Sequence, residues 1–365
     1  MSDCDRYIRR DPNDVAHLEP FWEHGDRPAL HLIEPDLGRV SGGLRYNESL
    51  AAGADELLHQ TGVIQRHSVP GNWPHPSTED EAAVHELAAT LDAPVVVDGL
   101  IGSALRTPLD LDVPVIQLIH AILAESDPAA LDRERANMHA ADAVVTTSPH
   151  AVRTLKQLTG IWASVARPGV DLRPVTEGSP DGNRFICVGA VEPNKNQLFL
   201  TEVFAALAVR GLTDWHVTFA GPHTDPDYAA RLVRACEQLP PGTTTVTGEL
   251  TPAEVDELYR TSDLLLLPSV RETYGMVVTE AAAAGLPSVV TEGTGAEDAR
   301  VVGALAAPEV TEWADILEGW LTQPYRHDLQ RQAVQARKTL YRWQDTADDL
   351  FRAVHAISHR TERTP

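Results

Sequence analysis

Two glutamates spaced eight positions apart, Glu272 and Glu280, lie in the run of residues 268–287, and both occupy places where a carboxylate needs a partner. The run leaves four leucines at 264–267 that read as a buried strand, turns, and enters a helix at about Tyr274 or Gly275 that ends at Gly285 before Pro287. A helix starting directly after a strand exposes its first backbone N–H groups, here those of Thr273, Tyr274, Gly275 and Met276, and these suit a phosphate or sugar hydroxyls. Glu280 sits about five residues further on, roughly 7.5 Å along the axis. Its neighbours over 276–284 are apolar except for Thr279, so the helix reads as buried nearly all round, and an unpaired carboxylate there is costly. Ribose hydroxyls, one nucleotide's length from a diphosphate at the helix start, would satisfy it. Glu272, in the preceding loop, would reach hydroxyls on the other side of that diphosphate. The alternative is structural, with Glu272 complementing the helix dipole and Glu280 paired with an arginine.

Lysine is scarce: three residues, Lys156, Lys195 and Lys338, against 27 arginines. Lys195 falls in Val188-Gly189-Ala190-Val191-Glu192-Pro193-Asn194-Lys195-Asn196, a strand end, a glycine turn and a helix start, where a compact ammonium would neutralise a leaving phosphate. Gly221 and Gly248 follow two further strands and offer backbone contacts to a base, or are simply turns. In the first half, Ser41-Gly42-Gly43 follows a strand and would let backbone approach a ligand closely, although the remaining glycine of a dinucleotide fingerprint is missing. His120 directly follows the apolar run 115–119, and Asp98-Gly99 ends another strand; each is a site candidate or a plain turn residue.

These candidates sit on an alternation of strands and helices. Residues 30–33, 95–97, 115–119 and 143–146 read as buried strands, with a helix from Gly42-Gly43 to about Gln60 and a capping box at Thr78-Glu79-Asp80-Glu81. Residues 167–174 and 177–182 break the pattern with prolines and glycines and read as a linker. The alternation resumes at 185–188, 216–220, 244–246, 264–267 and 288–290, with Thr251-Pro252-Ala253-Glu254 opening a helix. The chain is therefore expected to be α/β, with two doubly wound parallel-sheet domains forming a cleft, and the chemistry belongs in loops that follow strands.

Length and composition agree with that organisation. At 365 residues, 43% hydrophobic and 23% charged, the chain has material for about two domains. A net charge of −23 repels phosphate backbones and anionic lipid, which argues against nucleic-acid and membrane-surface partners; only the cluster at residues 6–10 is basic. Three cysteines without ligand or disulfide spacing, an opening lacking a signal peptide's apolar core, and the absence of a membrane-span-length apolar run point to the cytoplasm. No clustered carboxylate or Cys/His pattern indicates a metal.

The chain resembles the family-four retaining glycosyltransferases of the GT-B fold. Glu272 and Glu280 match their E-x7-E motif, with Tyr274-Gly275 and the run from Glu280 to Gly285-Leu286-Pro287 in place. Ser41-Gly42-Gly43 is similar to their N-domain glycine loop, His120 to their inter-domain histidine, residues 141–148 to their last N-domain strand, residues 167–171 to their linker, and Val188-Gly189 with Lys195 to their phosphate-binding loop. Residues 1–27 have no counterpart. The resemblance implies two Rossmann-like domains facing each other across a cleft: 1–170 for the acceptor, 176–342 for the donor, and a C-terminal helix, 343–365, crossing back onto the first domain.

The implied activity is transfer of a hexose from a nucleotide diphosphate sugar to an acceptor hydroxyl with retention and without metal or cofactor. Lys195 would bind the diphosphate, Glu272 the hexose, Glu280 the ribose, and His120 the hexose or the developing positive charge. Gly42, Gly43, Gly189, Gly221, Gly248, Arg271, Thr273, Tyr274, Gly275 and Met276 would complete the donor site. Many members carry arginine where this chain has Ala190, which places more of the leaving-group stabilisation on Lys195 and helix N–H groups; Arg271 is placed to compensate. A neutral or cationic small-molecule acceptor fits the acidic chain. The alternatives are a GT-B sugar-nucleotide epimerase or hydrolase, and a non-catalytic nucleotide-sugar-binding protein.

Overall fold

The computed structural model describes residues 16–18, 29–39, 41–322 and 326–361, and for Ala16 and 358–361 the backbone alone. The basic cluster at residues 6–10 lies outside the described residues. The chain divides into two compact units: Met1–Thr147 with Val152–Gly169 and Arg342–Pro365, and Ser148–Ala151 with Val170–Tyr341.

The first unit is built on six parallel strands, β1 (Leu30–Asp36), β2 (Ile64–Pro70), β3 (Val95–Asp98), β4 (Val115–Ile119), β5 (Ala143–Thr146) and β6 (Ser164–Val165), in the order β2-β1-β3-β4-β5-β6. The central strands are buried nearly along their whole length and are mostly apolar, as strands covered by helices on both faces require. The edge strand β2, Ile-Gln-Arg-His-Ser-Val-Pro, buries only Ile64 and Val69, so it lacks an apolar run, yet it pairs with β1 over seven residues. Helix Gly42–Leu58 packs against the final helix, Trp343–Thr361, where Tyr46 meets the Trp343 ring edge-on at 5.5 Å.

One local expectation is corrected. The capping box of helix Thr78–Ala88 is Ser77 with Asp80, one residue earlier than the Thr78–Glu81 pair. Glu81 is drawn inward instead, where its carboxylate accepts the Arg106 backbone N–H at 3.3 Å.

The second unit holds β7 (Arg184–Val188), β8 (His216–Ala220), β9 (Thr244–Gly248), β10 (Leu264–Leu267), β11 (Ser288–Thr291) and β12 (Gly303–Ala306), again all parallel, in the order β12-β11-β10-β7-β8-β9. Phe185, Phe204, Phe219 and Trp313 fill one face, and Tyr259, Leu265, Tyr274 and Val278 the other. Thr251 caps helix Pro252–Arg260 with Glu254 as the reciprocal partner. The chain runs outward from β7 to β9, then returns to build β10 to β12 on the other side. The order thus reverses between β7 and β10, and the loops leaving their carboxyl ends diverge there, which is where open α/β sheets bind ligands.

Candidate active site

The two loops at that reversal carry Lys195 and Glu272. After β7 the chain turns at Gly189 and passes through a single 3-10 turn, Pro193–Lys195. Asn196, in the left-handed region at φ 56, then starts helix Gln197–Val209. After β10 it runs through residues 268–274 to Gly275, whose φ of 90 caps helix Met276–Ala283. Backbone and side-chain bonds stitch the loops together. Val270 N–H donates to the Asn194 carbonyl at 2.8 Å, Arg271 N–H to Asn194 Oδ1 at 3.2 Å, and Asn196 Nδ2 to the Pro268 carbonyl at 3.3 Å.

Across this frame Lys195 Nζ donates to Glu272 Oε1 at 2.5 Å, and Ser269 Oγ donates to the same oxygen at 2.8 Å. Burial works against the Lys195 charge, but attraction to Glu272 and its hydrogen bond, with Glu192 and Cys187 beyond, more than offset it and hold the ammonium above its ordinary range. Cys187, buried beside it, has its thiol pushed up to about 12 by burial, so no thiolate nucleophile stands here near neutral pH.

The glycine turns line the same sheet edge. Gly189 N–H donates to the Ala220 carbonyl and Gly221 N–H to the Gly248 carbonyl, each at 2.9 Å. Gly221, at φ 151, runs so close to the preceding turn that a Cβ would collide with the Gly189 carbonyl oxygen.

Glu280 is 5% exposed and held by Tyr259 Oη at 3.3 Å and the Arg173 guanidinium at 3.6 Å. Arg173 also lies over the Tyr259 ring at 5.1 Å and pairs with Asp256.

In the first unit, Gly42, Gly43 and His120 come together, though not as a glycine loop. Ser41 caps the helix, its Oγ accepting from Leu44 N–H at 3.2 Å, and both glycines lie in the first helical turn. A Cβ on Gly43 would sit 3.1 Å from His120 Cδ2, so this glycine makes room for the imidazole. His120 Nε2 lies 2.8 Å from Asn47 Oδ1 and 3.5 Å from Asp98 Oδ2. Burial lowers the His120 pKa against the opposing pull of Asp98 and Glu34.

Comparison with known proteins gives this arrangement a context. Residues 182–323, which include both loops, match the model of the family described as glycosyl transferases group 1. D-inositol 3-phosphate glycosyltransferase of Rhodococcus erythropolis is 26% identical over 282 residues, 66% of this chain and 62% of the relative. That of Actinosynnema mirum is 31% identical over 230 residues, 54% of each chain. The aligned chain thus spans less than two thirds of the length of these relatives. Among solved structures, Anabaena HepE in complex with UDP and glucose superposes with a TM-score of 0.74 at 16% identity, covering 90% of this chain and all of that one. Sucrose-phosphate synthase from Thermosynechococcus elongatus gives 0.74 at 15% identity, covering 92% and all of that chain. The fold is GT-B.

The residues read from sequence in the second unit separate into four groups. Lys195, Glu272, Gly189, Gly221 and Gly248 meet around the β7–β10 reversal. The helix starts at Met276 with Gly275 as its cap, slightly later than the expected start at Tyr274 or Gly275; Thr273, Gly275 and Met276 lie at that start, and the Tyr274 side chain packs in the core. Arg271 is tied down by its backbone while its side chain is exposed. Glu280 has the arginine of the structural alternative.

Ser269, Asn194, Asn196, Arg173 and Tyr259 were not singled out by spacing. Ser269, three residues before Glu272, and the Asn-Lys-Asn run around Lys195 carried the only local signal. Among the described residues no group of three or more His, Cys, Asp or Glu is arranged to hold a metal, and no helix is long and apolar enough to cross a membrane.

Proposed function

We propose that the chain is a retaining, metal-independent glycosyltransferase that moves a hexose from a nucleotide diphosphate sugar to a hydroxyl of a small-molecule acceptor. The observation that carries this reading is the Lys195–Glu272 pair at the strand-order reversal of a group 1 glycosyl transferase domain. Donor binding exchanges that pair for two better-matched ones, with the ammonium turning to the diphosphate and the carboxylate accepting hexose hydroxyls. N–H groups at the start of helix Met276–Ala283 add to the field at the leaving group. Retention needs no protein nucleophile. As the diphosphate departs, the acceptor hydroxyl attacks the oxocarbenium-like carbon from the same face, and a β-phosphate oxygen takes its proton. The protein supplies position and preorganised charge. Glu280, oriented by Tyr259 and Arg173, takes the ribose, and within the first unit Gly42, Gly43 and His120 are the residues offered to a sugar.

The UDP bound to HepE makes a uridine diphosphate sugar the first donor to try. Although the relatives are named for inositol 3-phosphate, the net charge of −23 favours a neutral or cationic acceptor over a phosphorylated one. A panel of nucleotide sugars and acceptors, followed by anomeric NMR of the product, tests the reading. Donor is expected to be consumed only with acceptor present, to give a product of the donor's own anomeric configuration, and at a rate that EDTA leaves unchanged. An inverted product, or equal consumption without acceptor, rejects the proposal; the latter outcome is that of a hydrolase or epimerase.

A further inference from the structure

His120 can serve a sugar in two opposite ways, by donating a hydrogen bond or by accepting one, and its surroundings choose between them. Asn47 is fully buried, and its Nδ2 donates to Asp98 Oδ2 at 2.9 Å, while Asp98 Oδ1 accepts the Leu100 N–H at 2.9 Å. With its amide nitrogen committed to a fixed carboxylate, Asn47 turns its carbonyl oxygen to His120 Nε2 at 2.8 Å. A carbonyl oxygen only accepts, so Nε2 carries the proton and the neutral ring keeps its lone pair on Nδ1. The ring cannot turn to exchange its nitrogens without losing this bond and its edge-on contact with Tyr46, 4.7 Å between centroids, and Gly43 closes its remaining side. Gly43, Tyr46 and Asn47 stand at i, i+3 and i+4 on helix Gly42–Leu58, so one helical face supplies these three contacts, with Asp98 Oδ2 3.5 Å from Nε2 beside Asn47.

We propose that Asn47 is a positioning residue that holds His120 in the Nε2–H form, making Nδ1 the acceptor for a hydroxyl of the donor sugar or of the acceptor. This rests on the glycosyltransferase reading above. It makes His120 a partner for a neutral hydroxyl and excludes hydrogen-bond donation from Nδ1 to a sugar oxygen.

Nitrogen NMR of protein labelled at histidine, with His120 assigned by its loss in His120→Gln, reads the tautomer directly in the free protein. The wild type is expected to show the Nε2–H form alone. Asn47→Ala, and Asn47→Leu which keeps the buried volume, are expected to mix the two neutral forms. In the same variants KM for the substrate that supplies the hydroxyl is expected to rise about tenfold with kcat nearly constant. A rise for the donor alone assigns the hydroxyl to the donor sugar, and a rise for the acceptor alone assigns it to the acceptor. An Nδ1–H wild type overturns the proposal. So do unchanged Michaelis constants for both substrates in variants whose tautomers have mixed. A chain inactive with every donor would instead remove the glycosyltransferase reading, and the NMR of the free protein would still decide what Asn47 does.

Discussion

Lys195→Ala is expected to lower kcat/KM for sugar transfer about 100-fold, the scale of losing one preorganised charge at a leaving group, about 2.7 kcal/mol of transition-state stabilisation. Glu272→Ala should cost at least about tenfold. The two residues share a 2.5 Å ion pair, so their effects on transfer should not add, and the double variant should lose less than the product of the two single losses. A sharper contrast comes from binding. On the proposed roles, a diphosphate must displace Glu272 from Lys195 in the free protein. Glu272→Gln removes that competition, so it should bind a nucleoside diphosphate lacking its sugar more tightly than the wild type does, while transferring sugar more slowly. Steady-state kinetics and calorimetry on the two single variants and the double variant check this. Near-normal transfer in both single variants, or weaker diphosphate binding in Glu272→Gln, would contradict the assigned roles.

A large stability effect is expected at Gly221. Alanine there must hold a φ of 151 and drive its methyl group into the Gly189 carbonyl oxygen, so the turn or the Gly189–Ala190 loop has to move. A loss of about 2–4 kcal/mol is expected, combining backbone strain with overpacking. Gly248→Ala is the internal comparison. That residue has φ 76, but nothing lies within 4 Å of the added carbon, so only the conformational cost of about 1 kcal/mol should appear. Urea unfolding of the two variants isolates the collision as their difference. Equal midpoints would mean that β7 and β8 are not held at this spacing.

Of the strands legible in the sequence, β3, β4, β5 and β10 are covered on both faces and read as largely apolar runs with no alternation to misread, and β1, β7, β8, β9 and β11 are legible from short apolar or β-branched stretches as well. β2, β6 and β12 escaped notice; each lies at a sheet edge, where less burial is demanded, although β9, also at an edge, is legible. β2 is mostly polar, β6 is two residues long, and β12 is Gly-Ala-Leu-Ala. The displaced capping box has a similar cause. Ser77 with Asp80 and Thr78 with Glu81 both have the spacing, and Glu81 is instead turned inward, where it accepts from the backbone N–H of Arg106, 25 residues away. At the candidate site, residue type and loop position drew attention to Lys195, Glu272 and His120, because scarcity and place after a strand are local properties. Their partners were not legible. Asn194 and Arg271 are 77 residues apart and Asn47 and His120 are 73 apart, and no periodicity encodes which loops the sheet order brings side by side. Glu280 shows the same limit, since its need for a partner followed from burial, but Arg173 reaches it from the irregular segment before β7.

A crystal structure of the protein with a uridine diphosphate sugar bound tests the central claim most directly. The diphosphate should lie within about 3 Å of Lys195 Nζ and of N–H groups at the start of helix Met276–Ala283, with the hexose hydroxyls on Glu272 and the Lys195–Glu272 bond broken. A diphosphate bound elsewhere, with that ion pair intact, would contradict it.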